Sequence, residues 1–290
     1  MDLSRLFRRE ALSVAWRQQV KGVLWRVLPD HEGGLIGEER DPAARSVSFF
    51  RVRVSSGDVV WRDVTAPGGW WTGIECVAQG TLLIHGFASP DLPGHRGLTA
   101  LDLRTGASLW SDEDVVFVAA VDGVVYGLGG RSDRRGLVGR HLTTGALIDE
   151  GPADEGRLQD LVRRWQAETP SPVALPEPVE VGKDEHAIAS RLLAGAAMVE
   201  GGLETLRFGG MTVTAHHERA QAVRPGRPVY RRVLSVFGGE GATPAYREIL
   251  DDDLTMPAPE AFFMIGQTLL FVKGRRTLCA VHLSDTAGRG

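Results

Sequence analysis

The chain has 290 residues, of which 43% are hydrophobic and 24% charged, and its formal net charge is −4. This composition suits one large globular domain, and the small negative charge gives no reason to expect nucleic acid or an anionic membrane as a partner. Its only two cysteines, Cys76 and Cys279, do not form a CxxC motif, and each lies in an apolar, strand-like context, so no disulfide framework or cysteine metal site is expected.

The N-terminal segment, residues 1–21, is predicted to form a basic amphipathic helix ahead of the main domain at 22–290. Its apolar residues recur at helical spacing, and Arg5, Arg8, Arg9, Arg17 and Lys21 make it basic. Such a helix can lie on a membrane surface, but we favour a cap over one end of the main domain. Since no apolar run is long enough for a signal peptide or a membrane span, we expect a cytoplasmic protein.

Apolar and polar residues alternate between residues 22 and 142, which is typical of strands with one buried face. The strands predicted here are Leu24 to Leu28, Gly34 to Glu39, Ser46 to Val54, Val59 to Val64, Gly73 to Ala78, Thr81 to Gly86, Leu98 to Leu103, Val115 to Val121, Val124 to Leu128 and Leu137 to Leu142. The pairs Gln79-Gly80 and Asp122-Gly123 predict hairpin turns. In this interpretation the strand from Val59 begins the second four-stranded unit.

The alternation stops at an insertion, residues 151–200. Asp154 to Glu168 and the alanine-rich stretch from Glu185 to Val199 predict helices, and prolines at 170, 172, 176 and 178 predict an extended linker between them. The insertion is either a lid or partner-binding arm, or a segment that packs over one face of the domain. We favour the packing segment.

Strands resume after the insertion and continue to the C-terminus. They are predicted at Leu203 to Phe208, Met211 to His216, Val229 to Phe237, Tyr246 to Leu250, Ala261 to Ile265, Thr268 to Val272 and Thr277 to Leu283. With the earlier strands they predict an all-β protein of five, or at most six, four-stranded units.

One sequence phrase occurs three times. It starts with alternating apolar residues, continues through a Ser/Thr-Gly pair and ends, in two copies, on Trp; the copies are Val52 to Trp61, Leu101 to Trp110 and Arg140 to Asp149. The glycine supplies a tight turn, and the Trp suits the gap between two packed sheets. The three glycines lie 49 and 39 residues apart, in or near the range of one propeller blade.

The phrase resembles the quinoprotein-like (PQQ-like) β-propeller repeat, Ala-Leu-Asp-x-x-Thr-Gly-x-x-x-Trp, which Ala100 to Trp110 match best. The other copies depart from it, with Arg53 in place of Asp and Asp149 in place of Trp. The resemblance implies a β-propeller in which the phrase joins the outer strand of one blade to the next blade. Quinoprotein dehydrogenases of this superfamily bind a quinone with calcium, often on a disulfide of adjacent cysteines. This chain lacks such a pair, and we expect no cofactor.

A second resemblance is narrower. The motifs Trp70-Trp71-x-Gly73-Ile74-Glu75, Leu82-Leu83-x-His85-Gly86-Phe87 and Pro93-x-His95-Arg96-Gly97 are similar to those of an uncharacterised bacterial family, a domain of unknown function. This resemblance implies that Trp70, Trp71, Glu75, His85 and His95 form a family signature. It implies no activity.

Candidate ligand-binding residues are concentrated in the same segment. They are Trp70, Trp71, Glu75, His85, Asp91, His95 and Arg96. Indole rings, a carboxylate and an imidazole can stack on and hydrogen-bond a planar or sugar-like ligand, and loops on a rigid scaffold commonly carry such groups. The structural alternative is that the Trp residues pack between blades and the strand histidines bond to backbone. We favour that alternative.

No metal site and no catalytic motif is predicted. His216 and His217 are adjacent in a strand and point to opposite faces, so they cannot easily share an ion, with or without His282. Asp251 to Asp253 lacks the alternating ligands of a calcium loop and predicts a solvated acidic turn. The chain contains no Gly-x-Ser-x-Gly elbow, P-loop or HExxH motif.

Two functional hypotheses follow from these patterns. The first, which we favour, is a non-enzymatic binding or assembly platform for a protein partner. The second is an enzyme or small-ligand-binding protein that uses the Trp/Glu/His residues, with a quinone-dependent dehydrogenase as the least favoured form. The second hypothesis depends on whether Trp71, Glu75, His85 and His95 converge in one open pocket.

Overall fold

The computed structural model describes residues 12–89, 92–129, 136–168, 171–179, 193, 199–220, 228–238 and 243–284. In these ranges the fold is all-β, with 22 strands in five antiparallel sheets and one α-helix, α1 (Glu155–Glu168). The predicted all-β class is confirmed, and the five sheets agree with the five predicted units, although two of them have a fifth strand. The chain divides into two compact units, a central unit (20–53 and 58–171) and a terminal unit (residues up to 19, 54–57 and from 172).

The central unit contains three four-stranded sheets, and strands that follow one another in sequence are neighbours in the sheet, as in a propeller blade. The first sheet consists of β2 (Val23–Pro29), β3 (Gly34–Asp41), β4 (Ser46–Arg53) and β5 (Val59–Val64). The second consists of β6 (Thr72–Ala78), β7 (Thr81–Ser89), β8 (Leu92–Asp102) and β9 (Ser108–Asp112). The third consists of β10 (Val116–Val121), β11 (Val124–Gly129), β12 (Gly136–His141) and β13 (Leu147–Gly151).

The terminal unit contains two five-stranded sheets. One has the order β1-β22-β21-β20-β14, and the other the order β15-β16-β17-β18-β19. The first is built from β1 (Val14–Gln19), β14 (Val173–Ala174), β20 (Phe262–Ile265), β21 (Thr268–Lys273) and β22 (Thr277–His282). The second is built from β15 (Glu177–Pro178), β16 (Val199–Phe208), β17 (Met211–Ala220), β18 (Val229–Gly238) and β19 (Tyr246–Leu254).

The helix predicted over residues 1–21 is wrong where the structure describes it, because Val14–Gln19 form strand β1. Residues 1–11 lie outside the described residues. β1 pairs with β22, so the first and last strands share a sheet, and Trp16 is buried while Ala15 and Arg17 are exposed. An apolar segment this short fits helical and strand periodicity alike, and the unpaired edge of β22 decides in favour of the strand.

The repeated phrase does not join two blades, which corrects the expectation drawn from the PQQ-like pattern. Each copy is the hairpin between the third and fourth strands of one sheet, as the pairing of Val52 with Val59 and of Leu101 with Ser108 shows. The strand Val59–Val64 therefore ends the first sheet instead of beginning the second. A Ser/Thr-Gly pair makes a short, tight turn, which brings the flanking strands into one antiparallel ladder.

The indole rings of the phrase connect consecutive sheets of the central unit. Trp61 of β5 donates its indole N–H to the carbonyl oxygen of Leu103 at 2.8 Å, beside the turn glycine Gly106 of the second sheet. Trp110 of β9 donates its indole N–H to the carbonyl oxygen of Leu142 at 2.8 Å, beside Gly145 of the third sheet. Each ring thus lies over the backbone of a glycine that has no side chain to displace it.

Trp16 repeats this arrangement within the terminal unit and was missed in the sequence analysis. Its indole N–H donates to the Val54 carbonyl at 2.8 Å, and its ring covers Gly57. The similarity between Val14-Ala15-Trp16 and Val59-Val60-Trp61 is the signal that could have identified β1 as a strand of the same kind.

The insertion is part of both units in its described portion. α1 is confirmed as a helix and packs on the central unit, where Leu161 is buried and Trp165 contacts Phe117 edge-on at 6.0 Å between ring centroids. The proline-rich stretch is not a plain linker, because β14 pairs with β20 and β15 with β16. The helix predicted from Glu185 to Val199 falls almost wholly outside the described residues.

The core of the central unit lies between successive sheets. Ile36 and Phe49 of the first sheet pack with Ile74, Leu82 and Ile84 of the second, and all five are almost fully buried. This packing holds the second sheet rigidly against the first, and the second sheet carries the candidate site.

The hydrogen bonds in the turn before Gly106 are expected to make the stability of the fold depend on pH. Asp102 accepts hydrogen bonds from the Thr105 hydroxyl at 2.6 Å and the Thr105 amide at 2.7 Å, and these bonds hold the pKa of its carboxyl below the ordinary value. A depressed pKa means that the carboxylate stabilises the fold above the ordinary aspartate pKa and that this contribution disappears as pH falls through the folded-state pKa. We therefore expect the stability difference between the native chain and Asp102→Asn, measured by urea unfolding, to be larger at pH 7 than at pH 2. An equal difference at both pH values would contradict this role.

Candidate functional site

Three strands of the second sheet bring Glu75, His85 and His95 together. β6 carries Glu75, β7 carries His85 and β8 carries His95. The pairing of β6 with β7 shifts between Ile74 and Cys76, so Glu75 is the extra residue of a bulge. Bulges of this kind redirect a side chain, and this one places the carboxylate beside both imidazoles.

The three side chains form a compact group that we call the Glu-His-His cluster. Glu75 Oε2 lies 3.0 Å from His85 Nδ1 and 2.9 Å from His95 Nδ1, and the contact with His95 is a hydrogen bond. The two imidazole rings are stacked, with centroids 3.5 Å apart and planes 9° from parallel. Phe87 packs edge-on against both rings, with centroid distances of 5.0 and 5.6 Å. One carboxylate oxygen of Glu75 therefore lies within 3.0 Å of a ring nitrogen of each stacked imidazole.

Burial differs across the cluster. The His85 side chain is 4% exposed and the Glu75 side chain 17%, whereas the His95 side chain is 38% exposed. Burial by itself raises the pKa of the Glu75 carboxyl, but the neighbouring His85 and His95 rings outweigh it and hold that pKa below its usual value. Glu75 is thus an anionic group, and His95 is the most exposed member of the cluster.

His85 is buried, and its Nε2 has no hydrogen-bond partner. Its Nδ1 lies 3.0 Å from Glu75 Oε2, and its Nε2 lies against the backbone of Gly73, where an added methyl group would be 3.0 Å from that nitrogen. Buried polar groups normally have partners, so this histidine differs from the backbone-bonded histidine of the structural alternative. The ligand atoms of Glu75, His85 and His95 all lie within 4.8 Å of one another, which is close enough for them to hold one metal ion.

A cleft of about 360 Å³ lies next to the cluster in the central unit. Its lining comes from the loop before β6, the end of β7, the middle of β8 and the end of β9; the residues are Pro67, Gly68, Trp71, Gly86, Phe87, Ala88, Arg96, Gly97, Leu98, Thr99, Ser111, Asp112 and Glu113. Phe87 belongs to both features, because it lines the cleft and contacts both histidine rings.

The seven candidate residues of the sequence analysis separate into groups. Glu75, His85 and His95 form the cluster, and Trp71 and Arg96 line the cleft, where Arg96 pairs with Asp114 at 2.7 Å. The remaining two, Trp70 and Asp91, contribute to neither.

Trp70 packs against the core between the first two sheets, and the guanidinium of Arg40 lies over its ring at 5.3 Å. For this residue the structural alternative is correct. Asp91 lies outside the described residues.

Sequence reasoning missed Phe87, Asp112 and Glu113. Phe87 is two residues after His85 on β7, so the period of a strand places both side chains on one face, and that spacing could have identified it. Asp112 ends β9, which begins within the second copy of the phrase, and Glu113 follows it. Nothing in the local sequence indicates that they line one cleft with Trp71.

The other histidines singled out in the sequence belong to the terminal unit. In the described part of the chain, His216, His217 and His282 belong to no group of three metal-type ligands. His216 Nε2 lies 3.2 Å from Glu218, His217 accepts the Ala258 amide at 3.2 Å, and burial lowers the pKa of both imidazoles.

Asp251 to Asp253 lie in strand β19, so the acidic turn predicted there is wrong. Asp251 is buried and pairs with Arg232 at 2.6 Å, whereas Asp252 and Asp253 are exposed. The pairing of β18 with β19 continues across this segment, and a turn would interrupt it.

Comparison with solved structures finds low similarity. The chain matches a quinohemoprotein alcohol dehydrogenase from Pseudomonas putida HK5 with 11% identity and a TM-score of 0.31, over 83% of this chain and 44% of that one. It matches the β-propeller domain of the Trilobed protease from Pyrococcus furiosus with 7% identity and a TM-score of 0.28, over 87% and 63%. A third match is BBS1N in complex with ARL6DN, with 11% identity and a TM-score of 0.34, over 96% and 98%. The chain thus spans less than half of the dehydrogenase and less than two thirds of the protease chain.

Sequence comparisons add one family. No curated protein is significantly similar to this chain. None of the helices in the described ranges has the length and apolar character needed to cross a membrane. Residues 28–110, which include the whole Glu-His-His cluster and most of the cleft, match the model of a family described as a domain of unknown function (DUF4905).

Proposed function

We propose that this protein binds a small polar ligand with one flat apolar face, such as a sugar or a heteroaromatic compound, in the cleft beside the Glu-His-His cluster. The observation that carries the proposal is the lining of the cleft, which combines aromatic side chains with charged groups of both signs in about 360 Å³. Binding pockets for small molecules commonly combine a largely apolar wall with a few convergent polar groups.

The apolar part of the proposed contact is an aromatic wall. Trp71 reaches the cleft from the 3-10 turn Gly69–Trp71, and Phe87 reaches it from β7. Both are partly exposed, and neither is among the buried residues of the central core. A ring of the ligand can stack on such a surface, where aromatic groups give large contact area with little loss of conformational freedom.

The polar part is supplied by the last residues of β9 and by β8. Arg96 offers guanidinium donors, and Thr99 and Ser111 offer hydroxyls that lie 3.3 Å from each other. Asp112 forms an ion pair with Arg140, and Glu113 adds a second, exposed carboxylate. Since donors and acceptors face one space, the site suits a ligand with several hydroxyl or ring-nitrogen groups.

Trp71→Ala tests this proposal. A panel of sugars and heteroaromatic compounds is screened against the native chain by ligand-observed NMR, and the affinity of each hit is measured by calorimetry. We expect Trp71→Ala to weaken binding about 30-fold, the effect of losing a contact that contributes about 2 kcal/mol. Trp25→Ala is the matched control, because the Trp25 side chain is 61% exposed and does not line the cleft. Equal affinities for native chain and Trp71→Ala, or no hit in the panel, would contradict the proposal.

The other hypotheses of the sequence analysis stay predictions. A protein-assembly platform, an enzyme using Glu75 and His85, the PQQ-like assignment and a cytoplasmic location all await their own tests. Removal of residues 151–200 is a poor test of the platform, because it deletes α1, β14 and β15 from the two units they help to build.

A further inference from the structure

We propose that Glu75, His85 and His95 form a binding site for one divalent transition-metal ion of the zinc class. This site is separate from the cleft, whose lining includes none of the three residues, and the proposal does not depend on the ligand proposed above. It assigns to the chain a metal site that its sequence did not predict.

The set of ligands suits borderline transition metals. Two imidazole nitrogens and one carboxylate oxygen are ligands that Zn²⁺ accepts in tetrahedral sites, whereas Mg²⁺ and Ca²⁺ prefer sites made of oxygen atoms alone. Three protein ligands leave one of four positions for water or a ligand. Because His95 is the most exposed member, the open position lies on its side of the cluster.

The two oxygen–nitrogen separations are close to those around a bound ion, although the ring orientations are not. With metal–ligand bonds of about 2.0–2.2 Å and tetrahedral angles, two ligand atoms of one ion are separated by about 3.3–3.5 Å. The separations of Glu75 Oε2 from the two Nδ1 atoms are 3.0 and 2.9 Å, so each must open by about 0.3–0.6 Å to admit the ion. Rotation of exposed or partly exposed side chains is sufficient for a change of this size.

One ring must turn when the ion binds. A metal ion lies close to the plane of each imidazole that coordinates it, and two parallel planes 3.5 Å apart cannot both contain it. His85 is enclosed by the sheet, whereas His95 is part-exposed, so His95 is the ring that leaves the stack. Its strand partner Phe87 stays in place as the apolar wall behind the site.

The burial of His85 is a second observation. Its Nδ1 lies 3.0 Å from Glu75 Oε2, and its buried Nε2 has no hydrogen-bond partner, which is costly for a polar group. An ion on Nδ1 satisfies one nitrogen. The other, Nε2, lies against the backbone of Gly73, where an added methyl group would be 3.0 Å away.

The experiment uses the full chain, stripped of metal with a chelator and then titrated with Zn²⁺ or Co²⁺ alone. We expect one ion per chain by elemental analysis, a visible spectrum of four-coordinate Co²⁺, and no comparable binding of Mg²⁺. His95→Gln, Glu75→Gln and His85→Gln each remove one ligand and should weaken Zn²⁺ binding at least 10-fold. His141→Gln, a change at an exposed histidine in the same unit, should bind as the native chain does.

His95→Gln is the decisive variant. Of the three ligand residues His95 is the most exposed, so its replacement disturbs the fold least, and circular dichroism verifies the fold of the variant. Loss of the Co²⁺ spectrum in a folded His95→Gln chain, with retention in His141→Gln, supports the site. A native chain that takes up no stoichiometric ion overturns the proposal and leaves the cluster a hydrogen-bonded one. Equal Zn²⁺ affinity of His95→Gln and His141→Gln overturns it as well. Neither of these outcomes bears on ligand binding in the cleft, which Trp71→Ala tests separately.

Discussion

Replacing Asp30 with alanine is expected to destabilise the chain by about 3–5 kcal/mol, because it leaves a buried guanidinium without its main partner. The Asp30 side chain is fully buried and accepts the Arg51 Nε–H at 2.7 Å. Its other oxygen accepts the backbone amides of Glu32 at 2.8 Å and Gly34 at 2.7 Å, which shape the turn into β3. One substitution therefore removes an ion pair and two turn hydrogen bonds.

Arg51 has no equivalent replacement for this partner among its described contacts. It donates to the half-exposed Glu32 at 3.0 Å and to the carbonyl of Leu103 in the second sheet at 3.3 Å. Without Asp30 these contacts are expected to leave most of the desolvation cost of the guanidinium uncompensated. The Leu103 contact would weaken as well, and with it one connection between the first two sheets.

The free energy of unfolding, measured in urea by circular dichroism, tests this expectation. Asp114→Ala is the matched control, since Asp114 pairs with Arg96 at the surface and both side chains are more than half exposed. Exposed ion pairs of this kind contribute about 0–1 kcal/mol. Equal losses for Asp30→Ala and Asp114→Ala would show that the buried pair does not stabilise the fold as argued.

Trp61→Ala is expected to cost about 3–5 kcal/mol, the usual range for removing a buried Trp side chain. Trp61 is 7% exposed, packs in the core between the first and second sheets, and donates its indole N–H to Leu103 at 2.8 Å. Its loss leaves a cavity beside Gly106 and removes the shorter of the two hydrogen bonds to the Leu103 carbonyl. Trp25→Ala, at a 61% exposed ring, should cost about 1 kcal/mol or less.

The glycine beneath the ring gives the complementary measurement. Gly106 has a φ of +73°, and an added methyl group would lie 2.9 Å from Val64 Cγ2 and 3.0 Å from Trp61 Cδ2. Gly33 has a φ of +79° with open space around it, so Gly33→Ala measures the backbone strain alone, about 1–2 kcal/mol. Gly106→Ala should cost more than Gly33→Ala. Equal costs, or a Trp61→Ala variant as stable as Trp25→Ala, would contradict the role of the ring.

Much of the fold was predictable because its information is local. Alternation of apolar and polar residues located the strands, and Gln79-Gly80 and Asp122-Gly123 located hairpin turns, where all four residues have positive φ. The segment from Trp70 to Arg96 was singled out from residue type alone, and five of its seven candidates lie in the cluster or the cleft.

The predictions from sequence were wrong where the secondary structure of a segment, or the placement of a side chain, depends on residues far away in the chain. Val14–Gln19 is a strand because the unpaired edge of β22, formed at the other end of the chain, accepts it. Trp70 and Trp71 are adjacent and chemically identical, yet Trp70 packs against the core with the Arg40 guanidinium over its ring, whereas Trp71 lines the cleft. No spacing rule within residues 70–71 distinguishes these two positions.

From the residues alone it follows that this protein is all-β, that a Ser/Thr-Gly phrase recurs at blade spacing, and that one segment is unusually rich in Trp, His and acidic residues. These properties follow from side-chain period and turn chemistry, which act over a few residues. The tertiary structure decided that the phrase is a hairpin within a sheet and that its Trp rings cover the next turn glycine. It also decided that a bulge at Glu75 brings one carboxylate to two stacked imidazoles, because strand register and sheet packing join residues that the chain itself keeps apart.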